Sequence, residues 1–470
     1  MSVPGLNIHP FILYLGSRGI SAAGNFAAVA IFTRIAGTAE YGHYILIYAW
    51  SMVVYGFSTQ WTRFAYFGTF QSNVDEYVGS LIQLLAAALV ILAAGFVVTA
   101  AIGVFDPLFL LAIFALVATM TVYEAACEVA RSLLHAQAAA GAVILRTFLT
   151  IALGSAVLLN GGGATELALV VAAVHAISAI PCFVVARHID VFQGSRAASI
   201  RMLRYGWPLL LSFGVNAVGH SIDRLLLAYY AGPAAIGAYG VLSDVLRQSF
   251  TVFGDAIALS LIATAKVQAN AGDVEASNQT LRKAFNACMA AGAFGVAFFV
   301  IFGDVVTQIV LGQQFVELSR ELVPIFAVAF AFVTMRNFYF AQVIYFTHAS
   351  HLELIVSTMF VVISSALSVL LIPHYGSQGA AISLMVGCVA SCLAFALMGR
   401  VYYRMPIDLG GLFAIPGLAV AFVLGVWQIG PTFAPAGVLL FVEASIFVVI
   451  GVVLIHRLGL LQVAPVNGRD

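Results

Sequence analysis

Long apolar stretches separated by short polar segments run from one end of this chain to the other. A helix needs roughly 20 apolar residues to cross a bilayer. By that measure the segments that qualify are residues 11–36, 41–67, 78–104, 108–133, 139–159, 165–186 and 202–230, then 236–263, 282–310, 321–347, 352–372, 378–400, 407–427 and 435–456. The turns between them are brief, such as 160–164, 231–235 and 373–377, and none could fold a separate soluble domain. The pattern predicts an all-α polytopic membrane protein of about 14 transmembrane helices.

Composition agrees. Of 470 residues, 62% are hydrophobic and 9% charged, whereas a soluble globule carries roughly 25% charge to face water. The balance of 20 basic and 20 acidic residues provides no net field for nucleic acid. Met1–Pro10 contains no Lys or Arg and so lacks the charged start of a secretory signal; the first apolar run is expected to be a retained helix. Five cysteines fall inside apolar runs, and Cys388 and Cys392, four apart on one helical face, have no His or acidic partner following at metal spacing; all five read as packing residues and no metal site is expected.

Lys and Arg collect in alternate loops, and positive loops stay in the cytoplasm. One side holds Arg187, Arg196, Arg201, Arg204, Lys266, Arg282, Lys283, Arg400, Arg404, Arg457 and Arg469; the other offers little beyond Arg320. The expected location is the cytoplasmic (inner) membrane, with both termini in the cytoplasm. The polar stretch 187–204 also divides the first twelve runs six and six. Tyr41-Gly42-His43-Tyr44 opens the second run and Ile236-Gly237-Ala238-Tyr239 the eighth, at a constant offset of 195 residues (237 − 42). A parallel six-helix duplication accounts for this, and such repeats are common among transporters.

Charged side chains inside a membrane cost at least ~2.5–3.5 kcal/mol each near a helix centre, so they face a cavity or a partner. Here they include Arg18, Arg63, Glu124, Glu128, Arg131, Arg146, Asp223, Arg224, Asp244, Arg247, Asp255, Arg336 and Glu443. Glu124, Glu128 and Arg131 form a one-face set, and Asp244 and Arg247 are three apart on one face, so both groups are spaced to pair along their own helices. Arg18 and Arg336 have no acid within four residues, which favours a cavity role. A guanidinium stays protonated and can grip phosphate through two parallel hydrogen bonds, so a cavity with several arginines suits a diphosphate. Asp223 and Asp255 are candidates for binding a coupling cation or proton. No Gly-Lys-Ser/Thr exists, which excludes a P-loop. No constellation meets the geometry of a catalytic site and no cofactor is expected, so the chain reads as a non-enzyme.

Thr33-Arg34-Ile35-Ala36-Gly37 leading into Glu40-Tyr41-Gly42-His43-Tyr44 resembles the first-loop signature of bacterial polysaccharide exporters of the O-antigen flippase type. Tyr205-Gly206-Trp207-Pro208-Leu209, Ile222-Asp223-Arg224 and Gly237-Ala238-Tyr239 resemble them again, in order. That family belongs to the multidrug/oligosaccharidyl-lipid/polysaccharide exporter superfamily. The resemblance implies two six-helix lobes in a V-shaped, MATE-like arrangement: residues 1–195, then 196–403, with 404–470 adding two C-terminal helices and a cytoplasmic tail. It implies alternating access and movement of a polyisoprenyl-diphosphate-linked oligosaccharide to the outer leaflet. Membrane lipids and a glycan polymerase or other assembly proteins are the implied partners. Arg18, Arg63, Arg224, Arg247 and Arg336 would bind the diphosphate, with Asp223 and Asp255 coupling to an ion. A cation-coupled multidrug antiporter, a lipid II flippase and a non-transport scaffold remain as alternatives.

Overall fold

The computed structural model describes residues 10–69, 73–311, 316–347, 349 and 351–433. The side chains of Arg18 and Glu443 and the fourteenth expected run, 435–456, lie outside what is described.

All the described elements are helices. In order they are α1 (Pro10–Ser58), α2 (Gln60–Thr69), α3 (Val74–Ile102), α4 (Pro107–Ser132), α5 (Ala136–Leu159), α6 (Ala164–Ser178), α7 (Ile180–Ala186), α8 (Arg196–Ala231) and α9 (Pro233–Ile257). A π-helical turn, Ala258–Ile262, joins α9 to α10 (Ala263–Asn270). Next come α11 (Val274–Leu311), α12 (Val316–Phe338), a 3₁₀ turn at Phe340–Gln342, α13 (Val343–Phe346), α14 (His351–Tyr402) and α15 (Leu409–Phe433). Ten helical stretches among the described residues are long and apolar enough to cross a membrane.

Local chemistry sets where these helices begin and end. The side chains of Asn73, Asp106 and Ser195 accept from the backbone N–H three residues on, capping α3, α4 and α8. Pro107 follows its cap in the first turn of α4, where no hydrogen-bonded N–H is required. The 49-residue α1 and 52-residue α14 exceed any single span, and each is broken internally by one glycine, Gly37 (φ 75°) and Gly376 (φ 53°). Left-handed backbone favours a residue without Cβ. The expected pairs 11–36 with 41–67 and 352–372 with 378–400 are thus joined by glycine kinks instead of loops. The expected run 165–186 breaks at Ala179, just ahead of Pro181 in the first turn of α7.

By mutual contact the chain divides into two compact units: residues 1–241 with 310–314, and residues 242–309 with 315–470. In the first, α1 packs along α5 and α8, and α4 along α6. Trp61, Tyr66, Tyr77, Leu81 and Met202 form a core drawn from α2, α3 and α8. Small residues let backbones approach, as membrane helices require: Gly24 receives Thr147, and Gly206 lies on the Trp61 ring. In the second unit α12 packs along α14, around Phe285, Cys288, Tyr339, Val356 and Phe395. The five cysteines are all buried. Outward positions stay apolar, with Ile91 of α3 73% exposed and Phe413 of α15 74% exposed. Such surface is stable against lipid tails and costly in water.

Candidate functional site

In the first unit, polar groups line the seam between α2 and α4. The Thr59 and Thr121 hydroxyls pair at 2.6 Å, Arg63 is ion-paired to Glu124, and Tyr66 pairs with Ser132 at 2.7 Å. Positions 59, 63 and 66 recur at one-turn spacing, as do 121, 124 and 132 at one to two turns, so each set shares a face. Trp61 donates to the Ser58 carbonyl at 3.0 Å, holding the α1–α2 break that turns Arg63 toward α4. The Arg63 guanidinium also lies 4.8 Å from the centre of the Phe64 ring, which stacks on Phe213 of α8. Its Nε is buried without a hydrogen-bond acceptor among the described residues.

Two further polar groups occupy this unit. Asp223 of α8 is 3% exposed and accepts 2.6 Å from the Tyr239 hydroxyl of α9; its Oδ1 has no donor among the described residues. Arg224 is also buried, at 5% exposure, but adjacent helical residues point about 100° apart and do not share a face. Arg146 of α5 stands 5.1 Å from the Tyr123 ring centre, and His175 of α6 meets that ring edge-on at 5.5 Å. His175 Nδ1 lies 2.8 Å from the Val171 carbonyl.

In the second unit, Arg247 pairs with Asp244 one turn away, as spacing predicts. Arg336, near the end of α12 and 9% exposed, donates to Glu353 Oε1 at 2.8 Å and to Ser357 Oγ at 3.1 Å on α14. Ser357 in turn donates to the same Glu353 oxygen at 2.9 Å. Phe395 covers the guanidinium at 5.5 Å, and Arg336 Nε has no acceptor among the described residues. Asp255 sits one turn before the π-helical segment, a distortion that recurs at functional positions.

The seven candidate residues therefore fall into both units: Arg18, Arg63, Asp223 and Arg224 in the first; Arg247, Asp255 and Arg336 in the second. The pairings of Glu124 with Arg63, Glu353 with Arg336 and Tyr239 with Asp223 are not among those that the sequence offers. Glu124 and Glu353 meet their arginines across 61 and 17 residues of chain, beyond the reach of any rule of local helical spacing. Among the described residues no group of three or more His, Cys, Asp or Glu could hold a metal.

A cavity of about 620 Å³ opens in the first unit between α1, α3 and α4. Its lining is almost wholly apolar, with Trp50, Phe57, Ile91, Phe96 and Phe109 prominent and Ser58 the polar member nearest the Arg63 seam. That size is typical of small-molecule sites, roughly 300–1,000 Å³.

A profile of the polysaccharide biosynthesis protein family matches residues 31–320, more than half of the chain. The chain belongs to that family. No curated protein matches it in sequence. Among solved structures this polysaccharide biosynthesis protein is similar to a lipid II flippase, MurJ, in an inward closed conformation. The TM-score is 0.71 at 10% identity, covering 95% of this chain and 99% of the other. It is also similar to the Vibrio cholerae MATE transporter VcmN, with TM-score 0.56 at 11% identity over 84% and 97% of the two chains. An outward-facing multidrug resistance MATE family transporter of the MOP superfamily scores 0.52 at 15% identity, over 83% and 93%. At these identities the likeness is one of fold. It bears out the all-α, MATE-like class expected from the sequence, as the family match bears out the resemblance to polysaccharide exporters.

Proposed function

We propose that this polysaccharide biosynthesis protein is a flippase that carries a polyisoprenyl-diphosphate-linked oligosaccharide across the cytoplasmic membrane. The observation that carries the substrate reading is the condition of Arg63 and Arg336. Each guanidinium has five N–H donors; Arg63 is engaged by one carboxylate oxygen and Arg336 by one carboxylate oxygen and the Ser357 hydroxyl, and each keeps Nε without an acceptor among the described residues. Such an arginine is held in place within the membrane yet retains donors for a phosphate. A diphosphate presents several acceptor oxygens and suits bidentate donors. The hydrocarbon-lined cavity beside α3 has the chemistry of an isoprenyl chain.

In this reading the lobes 1–195 and 196–403 rock about the substrate, and Arg18, Arg63, Arg224, Arg247 and Arg336 share the diphosphate in different subsets. Asp223 and Asp255 bind the coupling ion. Both termini face the cytoplasm, where Lys and Arg concentrate. The chain acts as a transporter without a catalytic step, working beside a glycan polymerase or other assembly proteins. The likeness to a lipid II flippase supports the flippase fold and carries no substrate.

Deleting the gene in its host tests the reading. Surface polysaccharide should disappear while lipid-linked oligosaccharide accumulates on the cytoplasmic leaflet. Loss of polysaccharide with no accumulated lipid-linked precursor would contradict it.

A further inference from the structure

Where α14 ends and α15 begins, a second cavity of about 560 Å³ is lined by Arg400, Val401, Arg404, Met405 and Ile407. The loop beneath it is fixed from inside. Tyr339, fully buried, donates to the Pro406 carbonyl. Asn286 of α11 donates to Asp408 Oδ2 at 2.7 Å. Tyr403 stacks on Phe346 at 5.1 Å, and Lys266 lies 5.5 Å from the Phe346 ring centre. Met405 is buried. With Tyr403, Met405, Pro406 and Asp408 turned into the protein, Arg400 and Arg404 are left exposed on the outer side.

Neither arginine has an acidic partner among the described residues. The neighbouring acid, Asp408, is held by Asn286 and by the backbone N–H of Gly410; the arginine acting on its carboxyl is Arg282 of α11. His351 is engaged with Tyr402 at 2.8 Å. The lining thus has two guanidinium groups without an acidic partner among the described residues and three apolar side chains at the end of a membrane span. Retention of positive loops in the cytoplasm requires charge anywhere in the loop. It does not require a rigid turn that presents two arginines around a cavity.

We propose that this cavity binds the headgroup of an anionic glycerophospholipid from the arginine-rich leaflet. Its phosphate meets Arg400 and Arg404, and its upper acyl carbons lie along Val401 and Ile407. Guanidinium groups match phosphate through paired hydrogen bonds, and basic pockets between membrane helices on the cytoplasmic side favour such headgroups. A soluble anion would gain nothing from the apolar half of the lining. The site is separate from the intramembrane arginines and does not depend on which substrate the protein carries.

Native mass spectrometry of the purified full-length protein tests this, with dioleoyl phosphatidylglycerol, dioleoyl phosphatidylcholine and inorganic phosphate as probes. Phosphatidylglycerol should bind in preference to phosphatidylcholine. Changing Arg400→Gln and Arg404→Gln together should weaken it about 25-fold, from a factor of roughly five per surface cation. The paired Lys variant should keep most of the binding, and Arg320→Gln, whose partner is Asp304 elsewhere on the surface, should keep all of it. Wild-type phosphatidylglycerol affinity in the paired Gln variant would overturn the site. Equal affinity for the two lipids would do the same, as would displacement of the lipid by an equal concentration of inorganic phosphate.

Discussion

The carbonyl oxygen of Pro233 occupies the space where a side chain on Gly42 would stand: a Cβ there would lie 1.9 Å from it. The relation is reciprocated, because a Cβ on Gly237 would lie 2.1 Å from the Thr38 carbonyl. Thr38 and Pro233 are 195 residues apart, as are Gly42 and Gly237, so the two turns meet as near-equivalents. The duplicated Gly-x-Tyr motif therefore has a packing cause. Each copy supplies the bare backbone against which the other copy's turn rests.

Gly42→Ala and Gly237→Ala should each destabilise the protein by about 1–3 kcal/mol, since the obstructing atom is backbone and cannot rotate away. Thermal unfolding in detergent measures this. Gly95→Ala is the control: nothing lies within 4 Å of its Cβ position, and helical Ala is favoured over Gly by roughly 0.5–1 kcal/mol.

The Arg63–Glu124 pair should show strong coupling. Removing either charge leaves the other partly buried and unmatched, at about 1–3 kcal/mol. The double variant Arg63→Met with Glu124→Gln should be more stable than the sum of the singles predicts, by an interaction term of about 0.5–3 kcal/mol. Simple additivity would mean that the pair is solvated and contributes little.

Arg336 is expected to separate charge from shape. Arg336→Lys should retain part of the glycolipid transport, and Arg336→Ala should lose tenfold or more, from one charge-assisted contact of about 1.5–3 kcal/mol. Unfolding temperatures measured alongside distinguish this from disruption of the Glu353 and Ser357 contacts. Wild-type transport in a folded Ala variant would remove Arg336 from the binding set.

Asp408 should give α15 a pH-dependent anchor. Its carboxyl is held below the usual carboxylate range, first by the Asn286 amide, with burial opposing and the Gly411 and Gly410 N–H groups and Arg282 assisting. A folded pKa below the unfolded value adds stability above the unfolded pKa, and that stability fades as pH falls through the folded one. The stability difference between wild type and Asp408→Asn should therefore be constant near neutrality and shrink as pH drops below about 4. A difference that grows on acidification would contradict the assignment.

Much of the fold is legible in the sequence because a bilayer imposes a length on every apolar run. Residues 108–133 were expected to be helical and α4 spans Pro107–Ser132; 139–159 were expected and α5 spans Ala136–Leu159. What length cannot convey is how a polar position is treated locally. Gly37 and Gly376 read as loop residues, yet they interrupt continuous helices as single left-handed residues. Ion pairing divides the same way. Glu128–Arg131 and Asp244–Arg247 follow from one-turn spacing, whereas Arg63–Glu124 and Arg336–Glu353 depend on which helices pack together. For Arg336, the absence of an acid nearby in sequence was therefore a statement about its own helix alone.

The most direct test of the central claim is leaflet transfer in proteoliposomes. Purified protein would be reconstituted with a labelled polyisoprenyl-diphosphate oligosaccharide and, in parallel, with a cationic dye under a proton or sodium gradient. A flippase of lipid-linked glycan moves the glycolipid between leaflets and leaves the dye in place. Gradient-driven transport of the dye with the glycolipid static would contradict the account and make the protein a drug antiporter.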